Sequence, residues 1–481
     1  MPATPVIAIY DIGRTHKKFL LFDASYKVVF ESSSKFEDTM DEDGFPCEDL
    51  AAIESWMLQS LQEALKNPDV DIQAVNFSGH GASMVHLGEQ GKPVTPLYDY
   101  MKPLDEKIAD GYYGLFGGRA AFSQETGSPA LNMLNSSTQL YWLQHAHPEK
   151  FSLIRKSLHL PQYGNYLFSR KAHADISSIG CHTGLWDFQK QDYHHWLEQQ
   201  DYRRLLPDAE PVNMADIVSF NGKEIPVGIG LHDSSAALLP FVYTAKEPFL
   251  LLSTGTWNIS LHPYFNSTLN ADDYTKDCLY YLLDAKQPVA ASRLFLGSEY
   301  QHQVKALESY FQKQPGYYLS VLPDAKLFKE ALDLQSVETT FYPQTMKGTG
   351  PFPDLEGRMP DLSLFKDFDQ AYHKLMLDLT YLQKVSLELL MDRSPVNRIY
   401  VSGGFVQSDV FMELLQSFLP GKDIFIAENK RGSAMGAALA IHDSWQKGPI
   451  SEQVAALVKF KPALSVDLSG YQSCFEQLSH S

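Results

Sequence analysis

The sequence predicts an α/β protein built of two domains. Three observations carry this prediction. Short apolar runs recur and end at glycine-containing turns, the signature of buried strands. Each half of the chain follows the same order: strand, glycine turn, helix, strand, Ser-Gly turn. A length of 481 residues suits two or three domains at roughly 150 residues each.

In the first half, Val6-Ile7-Ala8-Ile9-Tyr10 runs into Asp11-Ile12-Gly13, and Lys18-Phe19-Leu20-Leu21-Phe22-Asp23 follows as the second arm of a hairpin. From Asp49 to Lys66, Leu50, Ile53, Met57, Leu61 and Leu65 recur at helical spacing. Ala74-Val75-Asn76-Phe77-Ser78 is a buried-type strand that stops at Gly79. In the second half, Phe249-Leu250-Leu251-Leu252 meets Ser253-Thr254-Gly255-Thr256. An amphipathic helix covers Phe368 to Leu390, and Arg398-Ile399-Tyr400-Val401 stops at Ser402-Gly403-Gly404. The boundary between halves falls near Pro240 to Pro248. The stretch from about Pro103 to Pro211, rich in Tyr, Trp, Gln and His, reads as a helical and irregular insertion. Its aromatics suit either a pocket wall or plain packing.

Composition excludes several classes. Hydrophobic residues make up 44% and charged residues 20%, so the chain can fold around cores. Forty basic against 58 acidic residues give a formal charge of −18, which repels nucleic-acid phosphates and anionic membranes. Cys47, Cys181, Cys278 and Cys474 form no CxxC pair, which argues against a disulfide scaffold or structural zinc. No apolar stretch is long enough for a membrane helix, and the expected location is the cytoplasm. P-loop and nucleophile-elbow patterns are absent.

Several turns can carry chemistry. Asp11-Ile-Gly13-Arg14-Thr15-His-Lys17-Lys18 can aim backbone N–H groups at an anion, and Asp11 can hold Mg²⁺. Ser253-Thr254-Gly255-Thr256-Trp257 is its counterpart in the second half. Ser402-Gly403-Gly404-Phe405 precedes Gln407, Ser408 and a helix from Asp409 to Leu419, whose N-terminus favours negative charge. Gly432-Ser433-Ala434-Met435-Gly436-Ala437-Ala438 opens a small-residue helix that suits a nucleotide or tight packing. Asp233, after Gly230-Leu231-His232, is equally a helix N-cap or a carboxylate base. Ser78-Gly79-His80-Gly81 is a tight turn bearing one histidine.

The order and spacing of these turns resemble the FGGY family of carbohydrate kinases. Asp11, Gly13, Thr15 and Lys18 match its first phosphate motif, and Ser253-Thr-Gly255-Thr256 its second. Gly230-Leu-His-Asp233-Ser-Ser-Ala236-Ala237 matches its catalytic-base element. Ser402-Gly403-Gly404-Phe405-Val-Gln407-Ser408 matches its adenosine motif, and Ala434-Met-Gly436-Ala437-Ala438 its closing helix. Thr256-Trp257 and the stretch from Gly79 to Gly91 look closest to the rhamnulokinase and fuculokinase branch. Four places depart, one being Ser78-Gly79-His80-Gly81, where the rhamnulokinase pattern has Trp and Asp nearby. Arg14 stands at a small hydroxyl position, Phe405 at a third glycine, and Leu97-Tyr98-Asp99-Tyr100-Met101 lacks the arginine of the family's sugar element.

The resemblance implies two actin-like (ribonuclease H-like, hexokinase-type) ATPase domains with an interdomain cleft. It implies a sugar-binding domain over 1–240, with an insertion at about 103–211, and an ATP-binding domain over 241–481. It implies an ATP- and Mg²⁺-dependent kinase acting on O1 of a small ketose, L-rhamnulose or L-fuculose first, and a homodimer. The alternatives are a ketopentose kinase for xylulose or ribulose, or a non-catalytic sugar- or nucleotide-binding regulator. Asp233 is the implied base and Asp11 the metal ligand. Gly13, Arg14, Thr15, Lys18, Gly255, Thr256, Gly403, Gly404, Gln407 and Ser408 are implied for ATP. His80, Gly81, Asp99, His232, Asp233 and Trp257 are implied for the sugar.

Overall fold

The computed structural model describes residues 2–283, 287–346, 348–428, 431–464, 466–468 and 471, so Cys474 lies outside the described residues. Contacts group the chain into two compact units: 1–244 with 280–289 and 431–454, and 245–279 with 290–430 and 455 onward.

The first unit is organised by its first strand. β1 (Thr4–Ile12), β2 (Lys17–Asp23) and β3 (Val28–Ser34) form an antiparallel meander. Helix α1 (Leu50–Lys66) follows, its N-terminus capped by the Asp49 side chain, which accepts from the Ala52 N–H. β4 (Val70–Gly79) then returns parallel to β1. A hairpin of β5 (Ala215–Phe220) and β6 (Lys223–Gly228) extends the sheet to the order β5-β6-β4-β1-β2-β3, and β7 (Leu231–His232) pairs with the end of β4. β1 reads as a continuous apolar run because both of its faces are covered. Val6, Ala8 and Tyr10 pack with α1, while Ile7 and Ile9 pack with Ala236 and Leu439 on the other face.

Between β4 and β5, helix α2 (Leu160–Ser169) lies on the sheet beside β4. The aromatics of the 103–211 stretch pack together: Tyr112, Phe122, Trp142, Trp196 and Tyr202 form one buried cluster. This is the packing reading, sustained by edge-to-face rings such as Tyr112 on Trp196 at 5.5 Å. Helix α3 (Asp233–Thr244) closes this part of the chain.

The second unit repeats the plan. β8 (Phe249–Thr254) and β9 (Asn258–His262) form the hairpin. β11 (Pro288–Leu294) and β10 (Cys278–Leu282) continue the strand order on one side, although residues 280–289 group with the first unit. On the other side, β12 (Arg398–Gly403) lies parallel to β8, followed by β13 (Asp423–Ala427) and β14 (Leu457–Lys459). Helices α4 (Leu296–Tyr310), α5 (Phe368–Met391) and α6 (Asp409–Phe418) complete it. The duplication extends to register. Gly79 of β4 stands opposite Ile12, and Gly403 of β12 opposite Thr254, so a glycine closes the parallel neighbour of each hairpin. Among the described residues no helix is long and apolar enough to cross a membrane.

Helix α7 (Gly432–Ala440) follows β13 in sequence but groups with the first unit, where it packs on α3. A Cβ at Gly436 would sit 1.8 Å from the Ala236 carbonyl oxygen, so only glycine permits this crossing. Gly436→Ala is therefore expected to destabilise the fold by about 1–3 kcal/mol or more. A lower urea midpoint at unchanged slope checks this; an unchanged midpoint contradicts the packing argument.

Candidate active site

In the first unit, chemistry gathers where β1, β4 and β7 end. Asp11 stands opposite Lys18 on β2 and Ser78 on β4. The Ser433 hydroxyl donates to Asp11 Oδ1 at 2.9 Å. Burial pushes the Asp11 carboxyl up to about 6; the Ser433 hydrogen bond and the Lys18 charge pull it down, and the charge of Asp233 adds to the rise. A buried carboxylate raised in this way is short of positive charge, and its oxygens are the hard donors magnesium prefers. Asp11 thus fits a divalent cation.

The turn from β1 to β2 is tight: the Gly13 N–H donates to the His16 carbonyl at 3.1 Å, and Thr15 is exposed at its tip. Arg14 spans away from it. Its Nε donates to Asp99 Oδ2 at 2.8 Å, and its two terminal nitrogens donate to Asp38 at 3.0 and 2.9 Å. Arg14, expected at the phosphates, thus has its guanidinium on a residue expected at the sugar. Asp99 also accepts from the Met101 N–H at 2.7 Å, while the Met101 side chain is exposed. Lys17 is buried and bonds both Glu48 and the Arg14 carbonyl, the latter at 2.8 Å.

His80 and Gly81 follow β4. His80 Nε2 lies 3.0 Å from Glu48 Oε2, and its ring stands edge-on to Tyr100 at 5.7 Å. Burial alone pushes the Glu48 carboxyl up. The hydrogen bond and charge of His80, then those of Lys17, outweigh it and hold Glu48 at about 2. A Cβ at Gly81 would meet Cys181 Sγ at 2.7 Å and His232 Cδ2 at 2.9 Å, so this loop fits only as glycine. His232 is buried and stacks on Tyr281 at 5.2 Å. Its Nδ1 lies 3.2 Å from the Ser235 hydroxyl and its Nε2 lies 3.3 Å from Asp233 Oδ1. Burial pushes the His232 imidazolium down, which favours the neutral ring beside Asp233. Asp233 opens α3 with its side chain 36% exposed.

The second unit holds a separate cavity of about 510 Å³. Gly255, Thr256, Gly404, Gln407 and Ser408 line it together, with Tyr300, Tyr318, Tyr372 and Phe405 as aromatic wall. Gly403 lies just behind, at φ +92°, and a Cβ there would fall 1.8 Å from the Thr254 carbonyl. The Thr254 hydroxyl accepts from the Phe405 N–H at 3.1 Å, tying the two turns together. Phe405 packs between Tyr300 at 5.2 Å and Phe411 at 4.7 Å, so the residue in the glycine position supplies an apolar wall. Ser408 caps α6 by accepting from the Phe411 N–H. Trp257 belongs to this unit, against Phe295 at 4.6 Å and over Arg293 at 5.1 Å.

Two family models cover most of the chain. Residues 6–240 match the N-terminal domain of the FGGY family of carbohydrate kinases, and residues 246–449 match the FGGY carbohydrate kinase C-terminal domain. The chain belongs to the FGGY family of carbohydrate kinases. A rhamnulokinase from Halalkalibacterium halodurans is 22% identical over 52% of this chain and 54% of its own. The match thus spans about half the length of that relative. A gluconokinase from Bacillus subtilis is 20% identical over 89% of this chain and 85% of its own. The crystal structure of a carbohydrate kinase from Novosphingobium aromaticivorans superposes with a TM-score of 0.80 at 23% identity, over 99% of each chain. These matches establish the two-domain FGGY kinase fold.

Sequence reasoning missed Lys17 and Glu48, the Arg14 bond to Asp99, and Tyr281, Gly297 and Tyr300. Each acts through a contact distant in sequence, such as the 85 residues between Arg14 and Asp99. Gly297 left a faint signal, a glycine at the start of a helical pattern. Its Cβ would fall 1.8 Å from the Gly255 carbonyl.

The Glu48 carboxyl is held at about 2, below its ordinary value of 4.5. It therefore contributes stability that is complete above about 4.5 and lost as pH falls toward about 2. The difference in melting temperature between the protein and Glu48→Gln should narrow across that interval. A difference that stays constant with pH would refute the assignment.

Proposed function

We propose that the chain transfers the γ-phosphoryl group of MgATP to a hydroxyl, O1, of a small ketose, with L-rhamnulose or L-fuculose favoured. One observation carries the reading: the accessible Asp233 carboxylate at the first turn of α3, with neutral-leaning His232 at 3.3 Å. A carboxylate that is both oriented and reachable can take a proton from an attacking alcohol.

In this reading the sugar oxygen attacks the γ-phosphorus while its proton passes to Asp233. The new O–P bond forms as the bond from the γ-phosphorus to the β–γ bridging oxygen breaks, and that oxygen leaves with ADP. Mg²⁺, held through Asp11, supplies charge neutralisation on the phosphates when bound. In the first unit the backbone N–H groups of Arg14 and Thr15 are the phosphate donors, with Lys18 adding charge; in the second unit the Thr256 N–H is the corresponding donor. The 510 Å³ cavity takes adenosine, its base against Tyr300 and Phe405 and its polar edge near Gln407 and Ser408. His80, Gly81 and His232 contact the sugar. Arg14 serves both parts of the site, through its backbone at the phosphates and through its guanidinium by fixing Asp99. It thereby supplies the arginine absent at position 101.

The similarity to a rhamnulokinase supports a deoxyketose, and the longer match to a gluconokinase is the reason to test gluconate beside the ketoses. The test is ADP release from MgATP with L-rhamnulose, L-fuculose, the xyluloses, the ribuloses, gluconate and glycerol. Strong stimulation by a deoxyketohexose is expected. Stimulation by gluconate alone would replace the acceptor class, and stimulation by none would refute the kinase reading. With the preferred sugar, Asp233→Ala should lose about 10²–10⁴-fold in kcat while remaining folded. Near-normal turnover would remove Asp233 as the base.

A further inference from the structure

Lys17, Glu48 and His80 form a buried chain of charge and hydrogen bonds in the first unit. Lys17 and Glu48 are each at most 5% exposed and His80 is 9% exposed. Burying an ion pair gains little stability by itself, and a partly satisfied buried network costs more than an apolar one. This network is complete except at one atom. Lys17 bonds Glu48 and the Arg14 carbonyl, and the two Glu48 oxygens take Lys17 and His80 Nε2. His80 Nδ1 is buried and has no hydrogen-bond partner among the described residues.

The ring cannot turn away to find one. Glu48 fixes it at Nε2, Tyr100 stands edge-on to it, and the next residue is wedged against Cys181 and His232. Glu48, held in its charged form by His80 first and Lys17 second, accepts the hydrogen on Nε2. Nδ1, on the other side of the ring, is the atom left to bond a hydroxyl. Nearby, Arg14 fixes Asp99. Arg14 in the β1–β2 turn thus bonds Asp99, and Lys17 at the start of β2 bonds Glu48, which in turn holds His80.

We infer that Lys17 and Glu48 are positioning residues for the acceptor sugar. Their ion pair sets the angle of His80 so that Nδ1 meets a sugar hydroxyl. This rests on the sugar-kinase reading above, and it adds two residues that touch neither substrate.

The test is a double-mutant cycle on the full chain, with the sugar that best stimulates ADP release. Lys17→Met with Glu48→Gln removes both charges together, so a folded variant is available even where Glu48→Gln alone unfolds. The paired variant should raise the KM for the sugar about 10- to 100-fold and leave the KM for MgATP unchanged. In a His80→Ala background the same pair of changes should add nothing further, because the pair acts only through His80. Equal effects on both KM values, or full additivity with His80→Ala, would overturn the inference while leaving the kinase reading intact. A wild-type protein that no sugar stimulates would overturn both.

Discussion

The first strand buries its apolar run on both faces and carries a carboxylate, Asp11, one residue before its end. That placement, Asp11 at the mouth of a fully covered strand, is the constraint on which the first unit depends. A carboxylate pushed up to about 6 by burial requires polar company. The fold supplies it from two directions: Lys18 on the adjoining strand and Ser433 from α7. The close crossing of α7 on α3 brings Ser433 there, and α3 begins with Asp233. The same packing that covers the sheet therefore presents both carboxylates of the proposed chemistry.

The second unit answers a different need with a similar frame. Its hairpin and parallel neighbour repeat the first sheet, down to a glycine at the end of the parallel strand. Where the first unit gathers charge, the second gathers aromatic surface around glycine turns. Gly297 and Gly403 each press against a neighbouring backbone, and neither leaves room for a side chain. A flat base and a chain of phosphates need these two surfaces, a dry wall and exposed N–H groups.

Much of this was legible in the sequence because it is local. The β1–β2 hairpin, α1, β8 and α5 are written in apolar periodicity, and the turns in glycine and hydroxyl residues. β1 extends beyond the Val6–Tyr10 run to Thr4–Ile12 because main-chain pairing with β2 and β4 continues past the apolar residues. The motif residues Gly255, Thr256, Gly404, Gln407 and Ser408 meet around one cavity. What escaped was tertiary. Nothing near Glu48 in sequence announces a partner at Lys17 or His80, and nothing near Arg14 points to Asp99. α7 groups with the first unit, though it follows the second half in sequence, because its small residues fit α3. Aromatics at 103–211 carry no periodicity that separates a pocket wall from a core, and the packing shows a core.

The central claim is that a sugar oxygen, deprotonated at Asp233, receives the γ-phosphoryl group. The most direct measurement is ³¹P NMR of the product formed from MgATP and the preferred ketose. The account predicts one phosphomonoester resonance split by the protons on C1, growing in step with ADP. Inorganic phosphate growing with ADP, and no sugar phosphate, would contradict it, because water rather than the sugar would then be the acceptor.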